Sequence, residues 1–161
     1  MGAESGFVVA VVRENAQWRV DRLPDGLRAD LDGIIRVLVQ QASEAPAIGL
    51  VDVADEFFVA VRVGAGGSAR LLLSDVTASV EWDLARQVLD RLGEAPPEED
   101  ELEEVWPAGD LGIFADLGLS EMELAAILDD LDLYADEMLL DIARRVGFAE
   151  AYQMAVDATV R

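Results

Sequence analysis

An acidic run near the C-terminus is the densest set of side chains in this sequence that could do chemistry. Its members are Asp129, Asp130, Asp132, Asp136, Glu137 and Asp141. Successive carboxylates could coordinate calcium, because hard cations prefer several oxygen ligands. A calcium loop started at Asp130 fails, however, since Tyr134 falls on a ligand position and Ala135 replaces the turn glycine. We therefore predict no metal site here, and instead a solvated acidic connection between helices.

A second group of carboxylates stands where strands are expected to end. Its members are Asp52, Asp55, Glu56 and Asp75. Two such carboxyl groups could act as the general acid and base of a hydrolase. Their spacing does not require that role, and turn formation and helix capping explain them more simply. A carboxylate-based, metal-dependent hydrolase is therefore kept only as a minor alternative function.

The residue types that are missing exclude much enzyme chemistry. The 161 residues include 33 acids and 12 arginines, but no lysine, histidine or cysteine. Without imidazole or thiol, catalysis by Ser-His-Asp or Cys-His groups is excluded. A zinc deaminase is excluded as well, because its metal is held by histidine and cysteine. We predict that the protein is not an enzyme and needs no cofactor.

Trp106 is the least ordinary aromatic residue of the chain. It is followed by Pro107 and Gly109 within an acidic stretch without clear periodicity. Such a tryptophan either packs the C-terminal part onto the rest of the protein, which we favour, or anchors a partner. The candidate partner-binding residues are Trp106, Asp110, Asp129, Asp130, Asp132, Asp136 and Glu137.

Residues 1–93 are predicted to form an α+β sheet domain. The apolar segment 7–12 is typical of a strand covered on both faces. Further strands are expected over 18–23, 47–53, 57–63 and 70–73, with helices over 27–42 and from Ser79 to Leu92. The result is a five-stranded antiparallel sheet with element order ββαβββα.

The expected sheet has the strand order 2-1-5-4-3, with one helix on either side. This places strands 1 and 5, both apolar on two faces, together in the centre. The element order resembles the profilin-like, longin and roadblock domains, many of which are interaction platforms. An exposed edge at strand 2 or strand 3 could support a homodimer by sheet extension.

Residues 94–161 are predicted to form an acidic helical region. The boundary follows from Pro96 and Pro97, because paired prolines cannot continue the preceding helix. Ser120 and Glu123 form a capping-box pattern before an apolar helical face, and Gly147 follows a helix that ends in two arginines. This region holds 19 acids and 3 arginines, and no basic residue lies between Arg91 and Arg144.

No segment of the chain has the pattern of an export signal or a membrane span. The longest early apolar run, 7–12, lacks a preceding basic region and is too short for a signal core. We expect a cytoplasmic protein without membrane contact.

Four segments resemble those of the actinobacterial putative tRNA adenosine deaminase-associated proteins. They are residues 47–58 (AIGLVDVADEFF), 71–77 (LLLSDVT), 105–112 (VWPAGDLG) and 129–134 (DDLDLY). The resemblance spans nearly the whole chain. It implies a tRNA adenosine deaminase as a partner and carries over no catalytic residues.

The net charge of −21 also favours a protein partner. Such a surface repels RNA phosphates, so we expect no direct nucleic-acid binding, and it attracts basic proteins. The leading hypothesis is a non-catalytic acidic accessory protein that binds a basic partner. The alternative is an acidic mimic of nucleic acid that inhibits a basic protein by occupying its cleft.

Overall fold

In the computed structural model, which describes residues 6–42, 45–64 and 67–157, one antiparallel sheet is covered by helices on both faces. The strands are β1 (Gly6–Glu14), β2 (Gln17–Arg22), β3 (Ala47–Val53), β4 (Phe57–Val63), β5 (Ala69–Leu73) and β6 (Ala108–Gly109). The helices are α1 (Leu31–Gln41), α2 (Asp83–Leu92), α3 (Glu121–Asp129), α4 (Ala135–Val146) and α5 (Ala149–Asp157). Short 3₁₀ turns connect several of them. The predicted α+β class and the order ββαβββα of the first part are confirmed.

The alternation of side chains along β1 divides the core in two. Val8, Ala10 and Val12 point toward α1 and α2, whereas Phe7 and Val9 point toward the C-terminal helices. Strands β3 and β4 are buried along their whole length. A strand buried on both faces reads as a continuous apolar run, which is why the sequence predicted these strands well.

The predicted spatial order of the strands is wrong. The observed order is β2-β1-β3-β4-β5-β6, so β1 pairs with β3 and not with β5. Strand β3 is therefore internal, and the expected free edge at strand 3 does not exist, whereas β2 does lie at an edge. Apolarity on both faces could not decide the neighbours, because β1, β3 and β4 all share it.

The expected placement of one helix on either side is also wrong. Helices α1 and α2 pack on the same face of the sheet, and the opposite face is covered by the C-terminal helices. The described parts of residues 94–161 thus share a core with the sheet. The division at residues 93 and 94 stays a prediction from composition.

The sheet has six strands and not five within the described residues. The sixth, β6, is a two-residue strand that pairs with Leu72 and Leu73 of β5. Gly109 allows this approach, because it has a φ of 108° and a Cβ there would collide with the Leu71 carbonyl. So short a strand has no periodicity for sequence analysis to detect.

Arg62 of β4 connects the segment 113–116 to the sheet. Its guanidinium is buried and makes a two-point ion pair with Asp116, with N–O distances of 2.6 and 2.8 Å. It also donates to the Ile113 carbonyl at 2.8 Å. The hydrogen bond from Arg62 holds the pKa of Asp116 below its usual range. Because every bond is charge-assisted, the buried guanidinium is well compensated.

In the part of the chain that the structure describes, no helix is both long enough and apolar enough to cross a membrane.

Candidate functional site

The turn between β3 and β4 is the centre of the candidate site. Ala54 and Asp55 occupy its two central positions with φ values of 53° and 60°, the left-handed conformation of a type I′ hairpin turn. Asp52, near the end of β3, accepts a hydrogen bond from the Asp55 amide at 3.0 Å through Oδ1. The turn-forming role predicted for Asp52 is thus confirmed, and the turn projects Asp55 away from the sheet.

Helix α4 begins against this turn. The Asp136 amide donates to Oδ1 of Asp55 at 3.0 Å, across 81 residues of sequence. A carboxylate at a helix N-terminus satisfies free amides and interacts favourably with the positive end of the helix dipole. The cap therefore brings Asp55 and Asp136 together, next to Asp52.

Tyr152 of α5 completes the group, which we call the carboxylate cluster: Asp52, Asp55, Asp136 and Tyr152. The tyrosine is only 4% exposed. Burial raises the pKa of its phenol, and the charges of the three carboxylates raise it further.

Burial and mutual repulsion raise the pKa values of two acids in the carboxylate cluster, Asp52 and Asp136. Asp52 is 4% exposed, and burial raises its pKa to about 7, with a further contribution from the charge of Asp55. Partial burial raises the pKa of Asp136 to about 6, and a hydrogen bond with Asp55 favours its protonated form. Asp52 and Asp136 can therefore take up or release a proton near neutral pH.

The carboxylate cluster lines a surface cavity of about 400 Å³, to which Phe7 and Asp157 also contribute. We call it the acidic cavity. Its acidic lining disfavours bound phosphate or a developing oxyanion, and it suits a positively charged group. Among the described residues, no group of three or more acids is arranged to hold a metal ion.

An apolar groove of about 390 Å³ lies on the other side of the turn. Its apolar lining includes Val105, Leu128, Leu131, Leu133, Tyr134 and Met138. Leu131 is 70% exposed and Tyr134 is 66% exposed, although both are large side chains. The same groove is lined by the acids Asp55, Glu56 and Asp75. An apolar patch with a polar border is typical of a protein-binding surface.

The sequence-predicted site residues fall into two groups. Asp129, Asp130 and Asp132 are exposed on and beside the connection from α3 to α4, which supplies Leu131, Leu133 and Tyr134 to the apolar groove. The other two acids of this group lie in the first turn of α4. Of these, Asp136 belongs to the carboxylate cluster, and Glu137 accepts a hydrogen bond from the Tyr134 amide at 2.8 Å.

Trp106 and Asp110 form the second group, near β6. Trp106 is half-buried and packs against the core on the α1 and α2 side, and its carbonyl accepts from the Val76 amide at 2.8 Å. This packing favours a structural role. Asp110 forms an ion pair with Arg70 at 2.6 Å, and this contact lowers its pKa. Both residues help to hold the β6 segment in place.

Sequence reasoning noted Asp52 and Asp55 as strand-end carboxylates but not their association with Asp136 and Tyr152. No local signal connects these positions, because the contacts depend on how α4 and α5 pack against the sheet. The capping role predicted for Asp75 is observed: its Oδ1 accepts a hydrogen bond from the Thr77 amide at 2.9 Å.

Comparison with known proteins identifies the family. The family model described as Rv3753c-like tRNA adenosine deaminase-associated protein matches residues 6–149. The chain belongs to this family. It is also 45% identical over 153 residues to Protein Rv3753c of Mycobacterium tuberculosis (strain ATCC 25618 / H37Rv), an alignment that covers 94% of this chain and 88% of that relative. No solved structure matches the chain. The resemblance found in the four sequence segments is confirmed.

Proposed function

We propose that this protein is a non-catalytic accessory protein that binds a basic surface of a partner protein through the apolar groove. The observation that carries the proposal is the exposure of Leu131 and Tyr134 in a groove whose charged lining residues are all acidic. Exposed apolar side chains can anchor a partner, and the carboxylates around them select for arginine or lysine on its surface.

The distribution of charge supports a basic partner. No basic residue occurs between Arg91 and Arg144, the part of the chain that supplies most of the groove's apolar lining. Long-range attraction by a surface of this kind speeds encounter with a positive protein and opposes contact with RNA phosphates. The proposal therefore includes no direct binding of nucleic acid and no membrane contact.

A tRNA adenosine deaminase is the first partner to test, because the family description names association with one. A basic surface of that enzyme outside its tRNA-binding cleft would complement the acidic border of the groove. Under this proposal the accessory protein acts in the cytoplasm and the chemistry belongs to the deaminase.

The test is binding to the tRNA adenosine deaminase of the same organism by isothermal titration calorimetry. We expect Tyr134→Ala to weaken binding about tenfold, because it removes an apolar anchor. Met122→Ala is the matched control, since Met122 is 83% exposed but lies outside the groove lining. Affinity should also fall as salt is raised. Absence of association at low salt, or equal losses in both variants, would contradict the proposal.

A deaminase assay distinguishes the accessory role from that of a nucleic-acid mimic. An accessory protein leaves the deamination rate unchanged or raises it. A mimic that occupies the tRNA-binding cleft inhibits competitively with tRNA, and that result would replace the proposed function by the alternative.

A further inference from the structure

We propose that the free edge of β2 pairs with β2 of a second copy of this chain, so that the two sheets form one continuous antiparallel sheet with a two-fold axis at Val20. This inference goes beyond the proposed function and does not depend on it. It rests on three features of the edge: unpaired backbone groups, charges that match in the antiparallel register, and an apolar flank of α5 above the strand.

The outer edge of β2 presents backbone groups without a partner. Within the described residues, β2 pairs with β1 alone. The Leu23 amide, just beyond β2, donates to the Val8 carbonyl, so alternate residues before it also direct their amides toward β1. The amides and carbonyls of Trp18, Val20 and Arg22 therefore point outward, and they have no hydrogen bond in the described part of the chain. Such an edge is a template for a further strand.

The charges of β2 match those of a second β2. With the axis at Val20, Arg19 lies opposite Asp21 of the second copy, and symmetry makes this contact twice. Both side chains are exposed, on the sheet face opposite α5. In the single chain Arg19 already contacts Asp21 at 2.8 Å, so the dimer shares each carboxylate between two guanidinium groups. Opposite charges directly across an antiparallel pair stabilise it, whereas like charges oppose pairing.

The hairpin that carries this edge also differs in charge from the rest of the chain. Residues 13–22 hold three arginines and two acids, although the net charge of the whole chain is −21. Two copies that meet through this hairpin therefore avoid placing one acidic surface against another.

Helix α5 lies above the β1–β2 pair and supplies a second contact. The ring of Tyr152 is 5.8 Å from that of Phe7 in β1, and the ring of Phe148, just before the helix, is 5.6 Å from that of Trp18 in β2. The second β2 lies about 4.8 Å from the first, so the two α5 helices come about 10 Å apart across the axis. This is within the range of distances at which helices pack.

The flank of α5 that faces the axis is apolar. On the opposite flank, Gln153 and Asp157 line the acidic cavity, toward the centre of the sheet. Ala151 and Ala155 share the flank toward the β2 edge, because residues four apart lie on one helix face and Ala151 is about 200° from Gln153. Their small side chains let two helices approach closely, and Met154, which is exposed, lies beside them.

The dimer leaves both apolar grooves open. None of the residues that line the groove belongs to β2 or α5. The dimer therefore presents two grooves to a partner, and a test of dimer formation is separate from the test of groove binding.

The experiment is sedimentation equilibrium of the full chain in about 0.15 M salt, which screens long-range repulsion. We expect a reversible equilibrium between monomer and dimer with a dissociation constant of about 100 µM or lower. Amide hydrogen exchange followed by NMR locates the contact. Exchange at Trp18, Val20 and Arg22 should slow as the concentration rises, whereas Arg19 and Asp21, whose amides already face β1, should change little.

Exchange of charge across the axis tests the register. Arg19→Asp and Asp21→Arg each place like charges opposite each other, and each should weaken self-association about tenfold. An equal mixture of the two variants should recover dimer formation, because each contact across the axis then joins opposite charges. Arg36→Asp is the matched control, since it makes the same change at an exposed position of α1 and should alter affinity less than about twofold. Circular dichroism checks that each variant is folded.

Four results would each overturn the inference. The first is a chain that stays monomeric at concentrations up to about 1 mM. The second is a dimer in which exchange at Trp18, Val20 and Arg22 is not slowed. The others are an equal loss of affinity in Arg36→Asp and Arg19→Asp, and no recovery of the dimer in the mixture of the two charge variants.

Discussion

Asp52 lies at the end of an internal strand, in a position that is unfavourable for a charged side chain. Asp52 belongs to β3, a strand that is buried along its whole length. The carboxyl group of Asp52 accepts a hydrogen bond from the Asp55 amide in the adjoining turn. An asparagine at this position would keep the acceptor oxygen and remove the charge. A substitution at this position can therefore show how much the buried charge lowers stability while the hydrogen bond to the turn is kept.

We expect Asp52→Asn to raise the melting temperature at pH 8 by about 4 °C and to have little effect near pH 4. Burial raises the pKa of Asp52 from 3.8 to about 7, so the folded state favours the protonated form. Protonated Asp52 therefore stabilises the folded state fully below pH 3.8, the pKa of an ordinary aspartate, and this stabilisation is lost as the pH rises through about 7. Thermal unfolding followed by circular dichroism between these pH values measures the difference.

Asp132→Asn is the control for this experiment, because it removes one charge from an exposed acid. Carboxylates such as Asp116, whose pKa is lowered, lose their stabilising effect in acid in both proteins alike and cancel in the comparison. A stability difference for Asp52→Asn that does not vary with pH would contradict the burial argument.

Two hairpin turns hold an alanine in the left-handed conformation that favours glycine or asparagine. The β1–β2 turn places Asn15 and Ala16 at φ values of 51° and 65°, and the β3–β4 turn places Ala54 and Asp55 similarly. An alanine in the left-handed conformation is strained by its Cβ atom. The β3–β4 turn helps to form both the acidic cavity and the apolar groove, whereas the β1–β2 turn lines neither.

Ala16→Gly should therefore raise the free energy of unfolding by about 0.5–1 kcal/mol, since glycine adopts this conformation without strain. Ala126→Gly, at an exposed position inside α3, makes the same chemical change in a helix and should lower it by about 1 kcal/mol. Urea denaturation of both variants measures whether each change raises or lowers the free energy of unfolding. A loss of stability in both would show that the strain at Ala16 is negligible.

At the scale of the whole molecule, the negative charge opposes folding. The net charge is −21, and the ion pairs that offset it are mostly exposed, such as the pair between Arg70 and Asp110. Exposed pairs contribute little to stability. The two buried cores on either side of the sheet must therefore hold the fold against self-repulsion.

Raising sodium chloride from about 0.01 M to about 0.15 M shortens the screening length from about 30 Å to about 8 Å. We expect the melting temperature to rise by about 2 °C or more, because repulsion between distant carboxylates is screened. The triple variant Asp129→Asn, Asp130→Asn and Asp132→Asn should show a smaller rise. Calorimetry makes the comparison, and a melting temperature that falls with salt would show that attractive ion pairs dominate.

Local interactions are the part of this protein that the sequence determines by itself. Strands β3 and β4 have the predicted bounds. The capping box of α3 forms as predicted, with Ser120 Oγ accepting from the Glu123 amide at 3.1 Å and Glu123 accepting from the Ser120 amide at 2.9 Å. Gly147 ends α4 in the left-handed conformation. These features depend on residues within a turn or a strand of each other.

Tertiary packing alone decided which strands are neighbours, which faces the helices cover, and which acids meet. The pairing of β1 with β3, the β6 strand and the joining of Asp55 to Asp136 all connect segments far apart in the chain. Several arrangements satisfy the same local patterns, because apolarity on both faces of a strand shows only that both faces are covered. The packing of whole strand and helix surfaces selects one of them, and a pattern of a few residues does not determine that packing.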